Sequence, residues 1–553
     1  MDPSFFKAGF EALPFELCRL IIKEGLLRSD LLALTLVSKH CYAAFNYSLY
    51  DEVTSAALFT LGLTEKARLP LTGPHPASYV KSMDFDLMYN EEYTYILEGG
   101  PFQRNDIKSK KSKQKKQQQK KKSSDPNMLQ KLFTAAVSNI MFYAPHASVK
   151  TLNYHSKALS LPQAFGNVNP AVFSLADLSL GFPVLNTNLR KTMSIVESLL
   201  SPSLTSLSLN FSEHDSPDPF VLAKILLKTR TNCPNLEQLH FDSPRSWISS
   251  KAKSPARPIQ AVLNDPSFML PRLKFLLLTD YEESLVILEE CAPFLTRHPH
   301  ITEFEFCQFS VASPAVGASR CTESILPNLV HLDGSVNDCV ALCAAGARPL
   351  ETIKLTIDEK FASAVENEPL VIALGNTKTL KRLFIHDLRF VHGGKSVGVD
   401  RQLLRRITLA CPGLTHFQCT VEVQEEEEEA ETDLEIVYNI IASNLLRLNH
   451  FKISICVRGT EESENVDIED LAHPIYKANS KALCAVMPNH PVLETVQIGL
   501  LGRSPGLRPE AQKPPFVAML YLVRSDTQRT FVKARYRDRP EFQMSEFSEC
   551  GVD

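Results

Sequence analysis

Four histidines are the first residues in this chain whose type and spacing could do chemistry. They fall at outward positions of short strand-like segments, at His240, His331, His416 and His450. A row of imidazoles could take up protons near neutral pH or bind a ligand. Exposed histidines without a role are the commoner case, so the row by itself assigns no activity.

Two cysteines, Cys339 and Cys343, lie four residues apart and would share one face of a helix. No further ligands stand near them in the sequence, so we interpret them as core thiols rather than as a metal site. The sequence also lacks a phosphate-binding glycine loop followed by a lysine, an HExxH pair and a CxxC pair. We therefore expect a protein that is not an enzyme and that holds neither metal nor cofactor.

The composition narrows the class of protein. The 553 residues are 44% hydrophobic and 22% charged, which is ordinary for a large globular protein. A net charge of −4 argues against polyanion binding by bulk charge. No apolar run approaches the roughly 20 residues of a membrane span, and the N-terminus lacks a signal-peptide pattern. Thirteen scattered cysteines indicate reduced thiols in a cytoplasmic and/or nuclear protein.

Two charged stretches interrupt the chain. Between residues 108 and 122, nine lysines alternate with glutamine and serine, and we expect the insert at about 99–127 to be a solvated, disordered loop. A nuclear-import signal or a contact with a polyanion is the alternative. The acidic run at residues 425–429 predicts a second solvated loop, at about 424–433.

Short apolar segments of the form L-x-x-L-x-L recur along the body of the chain, most of them 21 to 37 residues apart. In such a strand the later apolar residues point into the core and the residues between them point out. Helices are predicted between the strands, for example at 193–200, 220–229 and 402–409. The regular copies begin at Leu204, Leu236, Leu273, Ile301, Leu350, Leu380, Leu414, Leu448 and Leu493, and the less regular ones at Val80, Val149, Leu175 and Leu329.

These segments resemble leucine-rich repeats, in which parallel strands stack side by side with helices on the outer side. Ser212 and Pro244 replace the usual asparagine in two copies, so the repeats are degenerate. The resemblance implies an α/β fold with a horseshoe-shaped solenoid over residues 51–510. An ordinary α/β domain is the alternative. In the remaining residues, 511–553, two apolar segments at 516–523 and 531–536 predict a hairpin that caps the last repeat.

The first fifty residues predict three short amphipathic helices. Pro14 suits the first position of a helix, Gly25 suits the end of that helix, and Asp30 suits the N-cap of the second. A third helix would carry Tyr42 and Phe45. A unit this small cannot bury all its apolar surface, so we expect a partner to cover part of it. A helical cap that only closes the following domain is the alternative.

The motifs of this unit resemble the F-box. The family pattern appears here as Leu13-Pro14-Phe15-Glu16-Leu17, Asp30-Leu31-Leu32, Leu36-Val37-Ser38-Lys39 and Leu49-Tyr50. One position departs from it, since Cys41 stands where the family carries an aromatic residue. The neighbouring Tyr42 could take that place.

An F-box over residues 1–50 joined to leucine-rich repeats resembles the loosely conserved F-box proteins that are numerous in fungi. The resemblance implies the substrate-recognition subunit of an SCF (Skp–cullin–F-box) ubiquitin ligase. The F-box would bind a Skp-family adaptor and through it a cullin, while the repeats hold a protein substrate for ubiquitin-dependent degradation. The adaptor contacts implied by the resemblance are Leu13, Pro14, Leu17, Ile21, Leu31, Leu32, Leu36, Val37 and Tyr42.

The outward strand residues predict the substrate surface. They are acidic in the earlier copies and basic in the later ones, with an apolar pair near the middle, which favours a protein ligand with a dipolar surface and an apolar anchor. The candidate substrate contacts are Phe275, Leu277, Glu303, Glu305, Lys354, Arg382, Phe384 and Lys452. Two other functions stay open: a scaffold that binds the adaptor without ubiquitylation, and a nuclear nucleic-acid-associated protein acting through the lysine insert. We expect nucleic acid and membrane not to be partners.

Overall fold

The computed structural model describes the chain in segments that fall into two compact units, Met1–Asp280 and Tyr281–Asp553. The described residues are 17, 28–54, 76–87, 126–143, 149–156, 161–167, 174–181, 189–210, 219–242, 258–280, 291–308, 321–357, 368–387, 399–423, 427–457, 478–479, 481–483, 485–486, 490–501, 517–524 and 529–536. Most of the lysine insert, the predicted helix from Pro14 to Gly25 except for the helical Leu17, and the C-terminal tail lie outside these residues.

In the described part of the chain from residue 28 onward, two helices precede the first strand. Helix α1 is Arg28–Thr35 and helix α2 is Lys39–Tyr50. Ser38 begins α2, because its Oγ accepts a hydrogen bond from the Cys41 amide at 3.1 Å. Asp30 lies in the first turn of α1 and not at the predicted N-cap. A carboxylate in that turn still stabilises the helix, because the partial charge at a helix N-terminus is positive.

Seven strands of the first unit pair in parallel, each with the next along the chain. They are β1 (Glu52–Thr54), β2 (Ser82–Leu87), β3 (Thr151–Ser156), β4 (Asp177–Gly181), β5 (Ser206–Asn210), β6 (Gln238–Asp242) and β7 (Phe275–Asp280). Between them lie 3₁₀ turns at Pro76–Tyr79 and Gln163–Asn167 and helices α3 (Pro126–Tyr143), α4 (Leu189–Leu199), α5 (Pro219–Asn232) and α6 (Pro258–Asn264). The sequence pattern missed β1, because that short strand carries a single apolar residue, Val53.

The second unit repeats this arrangement. Strands β8 (Glu303–Gln308), β9 (His331–Ser335), β10 (Thr352–Ile357), β11 (Arg382–Asp387), β12 (His416–Val423), β13 (His450–Val457) and β14 (Thr495–Leu501) pair in parallel in chain order. Strands β15 (Val517–Arg524) and β16 (Arg529–Tyr536) then pair antiparallel as a hairpin on β14. The helices are α7 (Ala292–Arg297), α8 (Val336–Ala344), α9 (Glu368–Asn376), α10 (Arg401–Ala410) and α11 (Glu427–Asn444). No helix among the described residues is both long and apolar enough to cross a membrane.

One sequence prediction about this unit is wrong. The acidic run was expected to lie in a loop at about 424–433, but residues 427–433 form the first turns of α11. Acidic side chains favour the N-terminal turn of a helix. Further along, Ala430, Leu434 and Val437 are buried, so packing of the apolar face also holds this segment helical.

The predicted apolar strand positions are buried in both units. Leu204, Leu207 and Leu209 are fully buried in the first unit. Leu380, Leu383 and Ile385 take the same positions in the second. In each unit, parallel strands in chain order with helices between them over an apolar core are consistent with the α/β repeat solenoid predicted from the sequence.

A backbone hydrogen-bond ladder joins successive repeats. The Lys150 carbonyl accepts from the amides of Ala176 and Asp177 at 2.8 and 2.9 Å, and the Glu351 carbonyl accepts from Lys381 and Arg382, both at 2.9 Å. The same two-to-one bonding recurs from repeat to repeat within each unit. It holds neighbouring strands in register, so outward side chains at equivalent positions line up in rows across the sheet.

Candidate functional site

The turn between α1 and α2 presents exposed aliphatic side chains, which we call the leucine corner: Leu32, Leu36 and Val37. Their exposed fractions are 47%, 79% and 64%. Leu17, the one described residue of the preceding predicted helix, is 44% exposed. The corner matches three of the residues that the F-box resemblance implies for adaptor binding, while Leu13, Pro14 and Ile21 lie outside the described residues.

The leucine corner is held by its own hydrogen bonds. The Leu36 amide donates to the Ala33 carbonyl and the Val37 amide donates to the Leu34 carbonyl, both at 3.1 Å. The Thr35 hydroxyl donates to the Leu32 carbonyl at 2.7 Å. These hydrogen bonds already fix the backbone of the corner. Binding of a partner therefore costs the corner little conformational entropy.

Leu31 has a different place from its neighbour. It is only 7% exposed and packs with Cys41, Ala44, Phe45 and Leu49 in the core between α1 and α2. The resemblance implied that Leu31 contacts the adaptor, but in the structure its side chain packs in the core between α1 and α2. Adjacent leucines on a helix point in different directions, since successive residues are rotated by about 100°.

Cys41 and Tyr42 stand where the sequence departs from the F-box pattern. The Cys41 side chain is fully buried in the helix-pair core. Tyr42 is half-buried and lies near Tyr79 in the 3₁₀ turn before β2. Burial, and then the neighbouring Tyr42, raise the pKa of the Tyr79 phenol. Tyr42 thus lies near the 3₁₀ turn before β2, and its role as an adaptor contact stays a prediction.

An apolar pair stands on the outward face of the first unit, on its last strand. Phe275 and Leu277, the predicted apolar anchor, are half-buried there on β7. The Phe275 ring lies 4.7 Å from the ring of His240 on β6, centroid to centroid. Burial lowers the pKa of His240, so this histidine is a mainly neutral packing partner of the anchor.

Three carboxylates form an acidic cluster in the second unit: Glu303, Glu305 and Asp333. Glu305 on β8 stands directly opposite Asp333 on β9. Burial and the Asp333 charge raise the pKa of Glu305. On the other side of β9, Lys354 pairs with Asp333 at 3.1 Å. The predicted change from acidic to basic outward side chains therefore falls between β9 and β10. The ion pair between Asp333 and Lys354 joins these two strands.

The next three strands carry a cationic row: Arg382, His416 and His450. They occupy equivalent outward positions on β11, β12 and β13. The two imidazole centroids are 4.4 Å apart, so the rings are in contact. Two other predicted contacts, Phe384 and Lys452, lie two residues further along β11 and β13 and are half-buried.

Hydroxyl groups and one carboxylate surround the imidazole pair. His416 Nδ1 lies 3.0 Å from the Thr415 hydroxyl, and His450 Nδ1 lies 2.7 Å from the Thr495 hydroxyl. His450 Nε2 is 3.9 Å from a carboxylate oxygen of Glu494. Burial lowers the pKa of His416, and the charges of His450 and Arg382 lower it further, whereas Glu494 opposes the shift.

The predicted core thiols lie on α8. Cys339 is buried and Cys343 is half-buried, and the two are hydrogen-bonded to each other. This bond, together with a contact between Cys343 Sγ and the Thr377 hydroxyl at 3.6 Å, lowers the pKa of Cys343 to about 7. Within the described segments, no group of three or more histidine, cysteine or acidic side chains could hold a metal ion.

Arg348 is a residue that the sequence reasoning missed. Its side chain is buried, and its guanidinium donates to the carbonyls of Thr322, Ile325, Leu342 and Gly346. The Leu342 and Gly346 carbonyls belong to the last turn of α8 and the residues just after it, and the other two belong to the segment before β9. The guanidinium thus clamps two pieces of backbone together, a structural role that no motif predicts.

Comparisons with known proteins add little to this geometry. No protein-family model matches the chain, and no curated protein matches it. Among solved structures, it is similar to a protein from Bacteroides fragilis at 13% identity and a TM-score of 0.25, over 50% of this chain. The match spans 64% of the Bacteroides protein, which is less than two thirds of its length.

Proposed function

We propose that this chain is the substrate-recognition subunit of an SCF-type ubiquitin ligase. In this proposal the leucine corner binds a Skp-family adaptor, which links it to a cullin, and the outward face of the repeats binds a protein substrate. The chain itself supplies proximity and orientation, while other subunits perform catalysis.

The leucine corner is the observation that supports the proposal most. Its residues are exposed although the turn that carries them is ordered, and they belong to the DLL and LVSK motifs that resemble the F-box. Aliphatic side chains left in water at an ordered corner indicate a surface that a partner covers. The burial of Leu31 and Cys41 shows that α1 and α2 have a core of their own, so the exposed leucines are not needed to hold the pair together.

Affinity purification of the full chain from cells tests the adaptor half of the proposal. The L36D/V37D variant places two charges on the corner and should lose both adaptor and cullin, because a desolvated carboxylate in an apolar interface is strongly unfavourable. The matched control is L446D, since Leu446 lies in the turn after α11 and is 58% exposed. That variant should retain both partners.

The outcomes separate the candidate functions. Equal capture of adaptor by the wild type and L36D/V37D would defeat the F-box interpretation. Capture of adaptor without cullin would favour a scaffold that does not ubiquitylate. If the chain is a receptor, L36D/V37D should also lengthen the half-life of proteins that still co-purify with it, because their link to the ligase is lost.

A further inference from the structure

We propose that the cationic row of the second unit, together with Lys452, binds an acidic peptide segment of the protein partner, and binds it more tightly as pH falls. The inference deepens the proposed function by naming the chemistry of the partner. It rests on that function only in assuming that the repeat face takes a protein ligand. Adaptor binding at the leucine corner plays no part in it.

The spacing of the cationic row suits a short extended segment. Neighbouring strands lie about 4.8 Å apart, so three consecutive strands span about 10 Å. An extended peptide advances about 3.3 Å per residue. A run of three or four acidic residues crossing the strands therefore covers Arg382, His416 and His450. Lys452, two positions along β13, adds a cation beside the end of that run.

The charges of this row are available to a ligand. Among the described residues, none forms an ion pair with Arg382 or Lys452, whereas Lys354 is already paired with Asp333 at 3.1 Å. Arg382 therefore keeps a guanidinium that can pair with a carboxylate of the ligand.

The imidazole pair makes this binding sensitive to protons. Arg382 faces His416 from β11, His450 faces it from β13, and Glu494 approaches from the segment before β14. Burial, and then the neighbouring His450 and Arg382, lower the pKa of His416, so this ring is mainly neutral at pH 7.5. An anionic ligand over the row favours the protonated ring. Proton and peptide therefore bind together, and affinity rises as pH falls through the pKa of His416 in the complex.

The acidic cluster on the same unit favours a short acidic segment over a nucleic acid. A phosphate backbone extending from β11 towards β8 would meet the carboxylates of Glu303, Glu305 and Asp333, of which the last two share the ammonium group of Lys354. Like charges at an interface are strongly unfavourable. A peptide can instead confine its negative charges to the part that lies over the cationic row.

Fluorescence anisotropy with the purified full chain tests this inference. The probe is a labelled peptide of four consecutive glutamates between glycine and serine flanks, with a glutamine version as its control. Glutamate stays largely ionised above pH 5, so measurements at pH 5.5 and 7.5 report on the protein. We expect tighter binding at pH 5.5, by severalfold and by no more than about tenfold, the limit for roughly one unit of pKa change on one histidine, and no saturable binding of the glutamine peptide.

Three variants assign the effect to residues. H416Q/H450Q should bind equally at both pH values. R382Q should weaken binding at both pH values and keep the pH dependence. H331Q makes the same chemical change on β9, outside the cationic row, and should behave as the wild type does. The melting temperature of each variant, measured in the same buffers, shows whether it is folded.

Three results would overturn the inference: equal binding of the glutamate and glutamine peptides, a pH dependence that survives in H416Q/H450Q, or tighter binding of a single-stranded RNA probe that is sensitive to the same substitutions. Adaptor capture by the same preparation separates this failure from a failure of the proposed function. If L36D/V37D still abolishes adaptor capture, only the acidic-peptide inference is lost.

Discussion

The outward faces of the two units share one backbone arrangement and differ in their side chains. At the first and third positions of β2 to β5, the first unit carries two carboxylates, Asp84 and Asp177, and otherwise small hydroxyls and an amide: Ser82, Thr151, Asn153, Ser179, Ser206 and Ser208. The second unit carries carboxylates, a guanidinium, imidazoles and ammonium groups at the equivalent positions. The inward positions are apolar in both. The comparison teaches that the buried apolar residues specify the repeat. The outward residues can therefore differ between the units without changing the backbone arrangement.

The largest expected effect tests the shared core. L207A on β5 and L383A on β11 each remove a fully buried side chain, so each should destabilise its own unit by about 2–5 kcal/mol. Hydrogen exchange measured strand by strand should place each loss around the substituted repeat, because repeats contact mainly their neighbours. A loss in one unit but not in the other would show that the cores are not equivalent.

The second prediction concerns the clamp at Arg348, which belongs to the second unit. R348L removes a buried guanidinium that serves four carbonyls and should destabilise that unit by about 3 kcal/mol. Arg230 provides the matched control in the first unit. It is exposed and donates to the carbonyl and hydroxyl of Ser267 at 2.9 and 2.6 Å, so R230L should cost less than about 1 kcal/mol. Chemical denaturation measures the free energy of unfolding of both variants. Similar losses for R348L and R230L would show that Arg348 does not clamp the backbone.

The third prediction uses the acidic cluster to sharpen the contrast in charge. The pKa of Glu305 is raised, so the folded protein holds this proton more tightly than the unfolded chain does. Its contribution to stability is therefore full at low pH and declines as pH rises through the pKa of the folded state. E305Q should stabilise the second unit at pH 7 by less than about 1 kcal/mol.

The gain from E305Q should vanish towards pH 4, where the wild-type carboxyl is largely protonated. Melting curves across this range provide the measurement. E303Q on the same strand is the control, and it should stay within about 0.5 kcal/mol of the wild type. A gain from E305Q that is equally large at pH 4 would argue against repulsion between Glu305 and Asp333.

The smallest effect is expected on the outward face of the first unit. S206A/S208A removes two half-buried hydroxyls from β5 and should change stability by no more than about 0.5 kcal/mol. It should also leave protein partners bound, since these hydroxyls carry no charge. Loss of a co-purifying partner in this variant would show that the small polar face binds a ligand as well.

The repeat architecture could be predicted from the sequence because it depends on a local period. In Leu204-Leu207-Leu209 the spacing alone determines which side chains face inward, and all three are buried. The same spacing placed Arg382, His416 and His450 on the outward face. The contact between the two imidazoles could not be predicted, because it depends on the register between strands that are separated by a helix and two connections.

The candidate docking surface was only partly predictable. The motif groups Leu31 and Leu32 together, yet the fold buries one and exposes the other, because α2 covers one face of α1 only. The acidic run likewise carries no apolar period in its first residues, and its helix depends on the buried face that follows at Leu434 and Val437.

The sequence by itself therefore determined most of the strand positions, the inward and outward alternation and the likeness of the first helices to an F-box. Each of these rests on residues close together in the chain, where covalent geometry sets the period. The tertiary structure decided which leucines remain exposed, that Asp333 pairs with Lys354, that Arg348 clamps four carbonyls, and that two histidines stand in contact beside an arginine. Those outcomes depend on groups brought together from distant repeats, and only the packing of one repeat on the next sets such distances.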